Sequence, residues 1–426
     1  MATHVESLDN GLKVILHPLP DAKALSCWVG YRIGSRNEVP GITGSTHWVE
    51  HMLFKGGGKL RKGDIDKLVS RLGGKMNAFT DTDYTTYFET IPASAMDTAL
   101  MIESERMRNA AFDPKEVEAE RTVVISEREG AENQPEFLVE EELWGLAFHV
   151  HPYHWTPIGY KQDLARLDRD PLYRHYLQYY APNNAYLVLA GGFDPAVAMQ
   201  HVREAFAPLK PEPPPPPMRL VEPEQHGERR SDLHRPGAAD FLAVGWHIPA
   251  FAHEDTPAVA LLAAVLGGWR GFTRFAAGDW RSRSNRLYRA LVEGKLATDV
   301  SVRHEMKVDP SLLLTDVTLA GGVSLDRVEE VLDAEVAKLR KTPPSRTELE
   351  RAKGQVRAWH QFEQDGATFQ GMLLSASEAL ASWDAWDAMV ARIGKVRPEH
   401  VRDVARRYLV EEHRSVVRFH AEEVSR

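Results

Sequence analysis

At 426 residues the chain is too long for one compact core; at roughly 100–200 residues per domain it should divide, most simply into two large domains. Apolar residues at 43% and charged residues at 27% exclude wholesale disorder and leave ample core material. The formal net charge of -9, with acids and bases interspersed, offers no footprint for a phosphate backbone or an anionic bilayer, so neither nucleic acid nor membrane is expected as a partner.

The opening stretch MATHVESLDNGLKVILHP lacks the basic region and unbroken apolar run of a secretory signal, and no segment reaches transmembrane length. The mature protein is therefore expected to begin near Met1 and to work in the cytoplasm. Residues 24–36, ALSCWVGYRIGSR, alternate as a strand does and carry Cys27, the single cysteine, expected as a buried small residue rather than a nucleophile. A helical run follows in THWVEHMLFKGG (46–57), with Thr43, Gly44 and Ser45 available as caps and Gly56 to Gly58 as a stop. At about 100° per residue, His47, Glu50, His51 and Phe54 share one side, while Trp48, Val49, Met52 and Leu53 take the other. A second helix is expected over DPKEVEAERTVVISEREG (113–130), where Asp113 caps, Pro114 takes the first position, Glu116 completes a capping box and Gly130 ends the run. The histidines of HVHPYHW (His149, His151, His154) sit beside Pro152 and three aromatics, which favours a packed turn over a second metal site.

The clearest break is PLKPEPPPPPMRLVEPEQHG (208–227), whose consecutive prolines forbid helix and central strand and favour a stiff extended spacer. The domains expected are residues 1–210, a linker at 211–227, and residues 228–426. Beyond the linker FLAVGWHIPAFAHEDTP echoes the earlier LSCWVGYRIGSRNEVPG, and the apolar helical run AVALLAAVLGG stands where STHWVEHMLF stood. Both halves read as copies of one α+β unit, the second without the histidines and glutamate. Residues 267–284, rich in arginine and glycine, lack the pattern of a nucleotide cradle and are expected as a mobile surface segment.

Two imidazoles one helical turn apart can reach a single zinc ion at about 2.0–2.1 Å, and a carboxylate between them can take a proton from water activated there. His47 and His51 are thus candidate ligands and Glu50 a candidate general base; the plain alternative is a solvated polar face. The order His-x-x-Glu-His inverts the commoner His-Glu-x-x-His zinc motif. A third ligand is required, and Glu120 and Glu127, two turns apart on one side of the second helix, are placed to face the first.

With these stretches in view, the sequence resembles the pitrilysin-like (M16, inverzincin) zinc metallopeptidases, the family of insulin-degrading enzyme and mitochondrial processing peptidase, and most closely its short two-domain bacterial members. In that family the inverted motif is followed by a ligand glutamate in the context E-R-x-V-V-x-x-E; here ERTVVISE places Glu127 76 positions after His51. The resemblance implies Glu127 as third ligand and Glu120 as accessory acidic residue. GGKMNAFTDTDYTTYFETIP (73–92) looks like the family's edge strand, with Asn77 and Ala78 beside a bound peptide, and HPYHWTPIGYKQDL and YYAPNNAYLVLAGGFDP also agree. One departure stands out: SNRLYRALVEGKLATDVSV keeps the family's arginine as Arg286 but has Thr298 where a tyrosine is expected.

The resulting expectation is two similar α+β domains, each a mainly antiparallel sheet packed with helices, forming a clam-like chamber. The expected function is zinc-dependent endopeptidase action on peptides or unfolded segments, with one Zn²⁺ per chain, although manganese or cobalt would suit the same ligand types. Peptides and a related subunit, in a homo- or heterodimer that supplies the missing tyrosine, are the expected partners. The alternatives are a non-catalytic or partner-dependent subunit of a two-chain peptidase, and a zinc hydrolase acting on other bonds.

Overall fold

The computed structural model describes residues 2–272, 283–363 and 365–422. A first sheet contains β1 (His4–Ser7), β2 (Lys13–Pro18), β3 (Ala24–Tyr31), β4 (Lys75–Thr80), β5 (Thr85–Pro92) and β6 (Ala185–Gly191), in the order β1-β2-β6-β3-β5-β4. A second contains β7 (Arg229–Pro236), β8 (Phe241–Ile248), β9 (Ala297–His304), β10 (Ser311–Leu319) and β11 (Arg414–Glu422), in the order β7-β11-β8-β10-β9. All neighbours run antiparallel except β2 with β6 and β7 with β11. Without β1, the first order maps strand for strand onto the second. The echo between the two halves of the sequence is therefore a repeat of topology, and the fold is α+β with two similar, mainly antiparallel sheets packed with helices.

The chain forms two compact units, each drawing a segment from the other half. One comprises Met1–Gly130, Trp155–Leu220 and Glu363–Asp384; the other comprises Ala131–His154, Val221–Phe362 and Ala385–Arg426. In the first, β3 is apolar along nearly its whole length because both its faces are covered. Leu25, Cys27, Val29 and Tyr31 enter a core with Trp48, Val49 and Met52 of the helix Ser45–Met52, each such side chain contributing roughly 1.5–3 kcal/mol by burial. The opposite face meets the late helix Ala367–Leu380, where Trp28 lies against Gly371 and Thr90 bonds Thr368 at 2.8 Å. Lys13 reaches Glu378 on the same helix at 2.7 Å, and Arg32 pairs with the same carboxylate. The second unit shows the reciprocal loan. Val139, Leu143 and Trp144 of the helix Pro135–Ala147 pack with Ala243, Leu312, Leu314, Val417 and Phe419 from β8, β10 and β11.

Several local expectations meet the coordinates here. Cys27 is fully buried, and burial pushes its thiol up. The histidine turn is packed: His151 is buried and lies 3.1 Å from Asp309, and the three backbone N–H groups of His149, Val150 and His151 donate to Glu222 at 2.8–2.9 Å. Residues 210–226, the proline run included, contain neither helix nor strand. Two readings need correction. The second expected helix is Pro114–Glu132, running past Gly130, and Glu116 bonds Lys62 at 2.6 Å instead of closing a capping box; Asp113 does cap, accepting from Lys115 N–H. The stretch 267–284 is anchored at its start, because Trp269 and Phe272 are buried in an aromatic cluster with Trp359 and Trp386; residues 273–282 lie outside the described residues. Among the described residues no helix is long and apolar enough to cross a membrane.

A Cβ on Gly371 would fall 2.4 Å from Trp28 Nε1 and 2.5 Å from its Cδ1. Gly371→Val is therefore expected to lower the stability of the folded chain by about 1–3 kcal/mol through forced repacking, measured as a reduced urea midpoint at unchanged slope.

Candidate metal centre

The helix Ser45–Met52 buries Trp48, Val49 and Met52 completely, and this fixes which way its polar side points. The helix start is secured from outside itself. Gly44 at the cap has φ 84°, which glycine adopts freely, and its N–H donates to Glu38 Oε2 at 2.8 Å while Thr46 N–H donates to Glu38 Oε1 at 2.7 Å. Burial pushes the Glu38 carboxyl up to about 7 against these bonds. Asp163 accepts from Gly41 N–H, Thr43 N–H and Thr43 Oγ1, and Thr46 Oγ1 shares a 3.0 Å hydrogen bond with buried His175. The loop before the helix is thus held on two sides.

On the polar side, His47 Nε2 and His51 Nε2 lie 3.2 Å apart. Glu127 Oε2, from the helix Pro114–Glu132, is 3.4 Å from His51 Nε2 and 3.9 Å from His47 Nε2. The three residues offer one ligand atom each within 4.8 Å of one another, and they form the one such group of histidine, cysteine or acidic residues among the described residues. Glu127 is exposed and the histidines half-buried, so the group opens to solvent on one side. Glu120, two turns before Glu127, is buried; it lies 2.9 Å from His51 Nδ1 and accepts from Lys55 Nζ at 2.5 Å. Burial alone would raise the Glu120 carboxyl, but the bonds from Lys55 and His51 outweigh it and hold it below its usual range.

These contacts decide the electronic state of the cluster. A carboxylate only accepts, so His51 donates its Nδ1–H to Glu120, and in the neutral ring this leaves the lone pair at Nε2. Burial, and then His51, push the His47 imidazole down to about 3, so it is neutral at pH 7. Its Nδ1 is buried without a hydrogen-bond partner among the described residues. Two imidazole nitrogens and one carboxylate converging on one point form a donor set that fits zinc.

Glu50, buried, accepts from Thr80 Oγ1 at 2.6 Å through Oε2, and burial pushes its carboxyl up. Behind the helix lies a fully buried triad. Arg106 pairs with Glu89 at 3.2 Å and with Glu103, and its guanidinium stands 5.0 Å over the Phe54 ring and 4.6 Å over Tyr87.

Of the remaining sequence candidates, Asn77 is exposed and Ala78 buried on β4, the edge strand, which among the described residues pairs with β5 alone. Arg286 is bound to Glu348 at 2.8 and 3.3 Å, and Thr298 is an exposed residue of β9 whose Oγ1 donates to the Thr318 carbonyl at 3.3 Å. Glu38, Lys55, Thr80 and Asp163 were not found from sequence. Lys55, Thr80 and Asp163 each act across 30 or more positions, and Glu38 caps the helix from outside the local window that cap rules search.

Comparison with known proteins follows the same lines. The family model described as Insulinase (Peptidase family M16) matches residues 13–156, and that described as Peptidase M16 inactive domain matches residues 166–356. A relative called zinc protease PqqE, from Helicobacter pylori, is 31% identical over 82% of this chain and 77% of its own. A mitochondrial-processing peptidase subunit beta from Lentinula edodes is 25% identical over 86% of this chain and 78% of its own. The crystal structure of a protease from Helicobacter pylori superposes with a TM-score of 0.92 at 26% identity, covering 98% of this chain and 99% of that one.

His175 supplies a pH test of the brace. Burial lowers its imidazole from 6.5 to about 4, so between these values the unfolded chain binds a proton that the folded one refuses. Its contribution is intact above pH 6.5 and is lost as pH falls toward 4, by about 1.4 kcal/mol per unit. Denaturation of His175→Gln across this window is expected to show a shallower acid loss than wild type, by about one bound proton.

Proposed function

The chain belongs to the M16 peptidase family, and from that premise we propose that it is a zinc-dependent endopeptidase in which His47, His51 and Glu127 hold the ion and Glu50 is the general base. The observation that carries this reading is the meeting of three ligand atoms from two helices within 4.8 Å. When bound, the ion supplies Lewis-acid polarisation of a substrate carbonyl and makes hydroxide accessible near neutral pH.

The chain's own residues do the rest. Glu120 orients the His51 ring through Nδ1 and, with its own charge shared by Lys55, keeps the tautomer that leaves Nε2 free to coordinate. Glu50, raised by burial toward the range useful to a base, takes a proton from the attacking water and returns it to the leaving amine. No covalent enzyme intermediate is needed. An extended peptide pairs its backbone with the free edge of β4 beside Asn77 and Ala78, which gives affinity with little side-chain selection and suits peptides and unfolded segments. Arg286 is the candidate for a further substrate contact and would share its guanidinium with Glu348.

Glu50→Gln is expected to keep its zinc, measured by elemental analysis, while kcat on a peptide library falls about 100-fold or more. Wild-type cleavage should stop with a chelator and return with zinc, and Glu127→Ala should lose the metal. A Glu50→Gln variant that cleaves at the wild-type rate would exclude this assignment.

One observation favours a partner-dependent form of the same activity: Thr298 has no phenol to offer where the family pattern has tyrosine. A related subunit would then supply that group, with this chain as the zinc-bearing member. Sedimentation of the active species is expected to give a dimer or a co-purifying complex; full activity from a monomer rejects the shared site.

A further inference from the structure

Among the described residues Glu50 receives one hydrogen bond, from Thr80. A glutamate carboxylate sits at the end of three rotatable bonds, and in a buried site the choice among its rotamers depends on what holds it. Thr80 is suited to that task. Its β-branched side chain is stiff about χ1, and it closes β4 in register with Thr85, whose own hydroxyl donates to the Ile33 carbonyl at 2.9 Å. The donor is therefore anchored to the sheet and does not move with the helix that carries Glu50.

Strand alternation explains how it gets there. Along β4, Ala78 and Thr80 point to one face, where Ala78 joins the core with Trp48 and Val49 of the motif helix. Phe79 points to the other face, its ring centroid 6.5 Å from that of Trp28. The alternation that leaves Asn77 exposed thus turns the Thr80 hydroxyl toward the helix. The bond fixes Oε2 of Glu50 at 2.6 Å, which leaves Oε1 for other work.

We propose that Thr80 is a positioning residue for hydrolysis: its hydroxyl locks one oxygen of Glu50 so that the other is presented to the attacking water. The inference rests on the reading of Glu50 as general base. It adds a mechanical link, because the strand whose edge seats the peptide is also the strand that holds the base. A shift of β4 then moves substrate and base together.

The test uses the zinc-loaded and the metal-free protein with substitutions at Thr80 and Glu50. Thr80→Val, nearly isosteric, is expected to lower kcat about 10- to 100-fold, the loss of one hydrogen bond to a charged group, with KM and zinc content unchanged. Thr80→Ser is expected to return most of the turnover. Glu50→Gln with Thr80→Val should be no slower than Glu50→Gln alone. In the metal-free protein, thermal melts of Thr80→Val, Glu50→Ala and the double variant should be non-additive, a readout independent of turnover. Should Thr80→Val not fold, Thr80→Ala carries the same comparison. If Glu50→Gln is inactive while the folded Thr80 variant keeps wild-type kcat, the proposal is overturned and the functional reading stands. Loss of zinc from Thr80→Val, or additive melts, also overturns it, since Thr80 would then support the fold in general. A fully active Glu50→Gln removes the functional reading itself.

Discussion

Two imidazole nitrogens 3.2 Å apart, with a carboxylate oxygen 3.4 Å from one of them, are groups that do not collect without a frame to hold them. The frame is a short helix with one completely dry side. Trp48, Val49 and Met52 cannot leave the core, so His47, Glu50 and His51 cannot leave the surface they share. The second helix meets that surface through Glu120 and Glu127, one gripping the back of His51 and the other reaching its front.

Charge is arranged around this meeting in layers. Lys55 partly neutralises Glu120, which orients His51, and the chain of contacts keeps a lone pair pointing outward. Deeper, Arg106 lies between two fully buried glutamates and under two aromatic rings, one of them Phe54 just past the end of the motif helix. Burial pushes the Glu103 carboxyl well up, with the Arg106 charge pulling against it. Removing one member of such a group typically costs about 3–5 kcal/mol, which ties the helix Met96–Asn109, bearer of Glu103 and Arg106, firmly to β5. Rigidity below and openness above suit a site where the geometry of converging side chains must be fixed while one side stays accessible.

The parts of this structure legible in the sequence are those with short-range periodicity. The side assignment of His47, Glu50 and His51 against Trp48, Val49 and Met52 follows from helical spacing, and the echo of LSCWVGYRIGSR in FLAVGWHIPAF is the same strand, β3 and β8, in two copies of one topology. Glu120 and Glu127 were placed on one helix side by the same rule. What stayed hidden is set by tertiary contact. Glu38 caps a helix that begins seven positions later, Asp163 braces a loop more than a hundred positions away, and Thr80 reaches Glu50 from a strand. No spacing rule links such pairs. Gly130 reads locally as a stop, yet the helix Pro114–Glu132 carries on past it.

The exchange of segments between the halves also escapes any reading by composition, since the helix Ala367–Leu380 is as apolar as a member of its own half would be. It has a consequence for biosynthesis. As the chain emerges from the ribosome, the face of β3 and β6 that this helix covers stays wet until the chain has been made as far as Leu380. The nascent first half must therefore wait, with Trp28 and its neighbours uncovered, for this helix to be translated, and a message truncated before it would yield an adhesive fragment in place of a free-standing first unit.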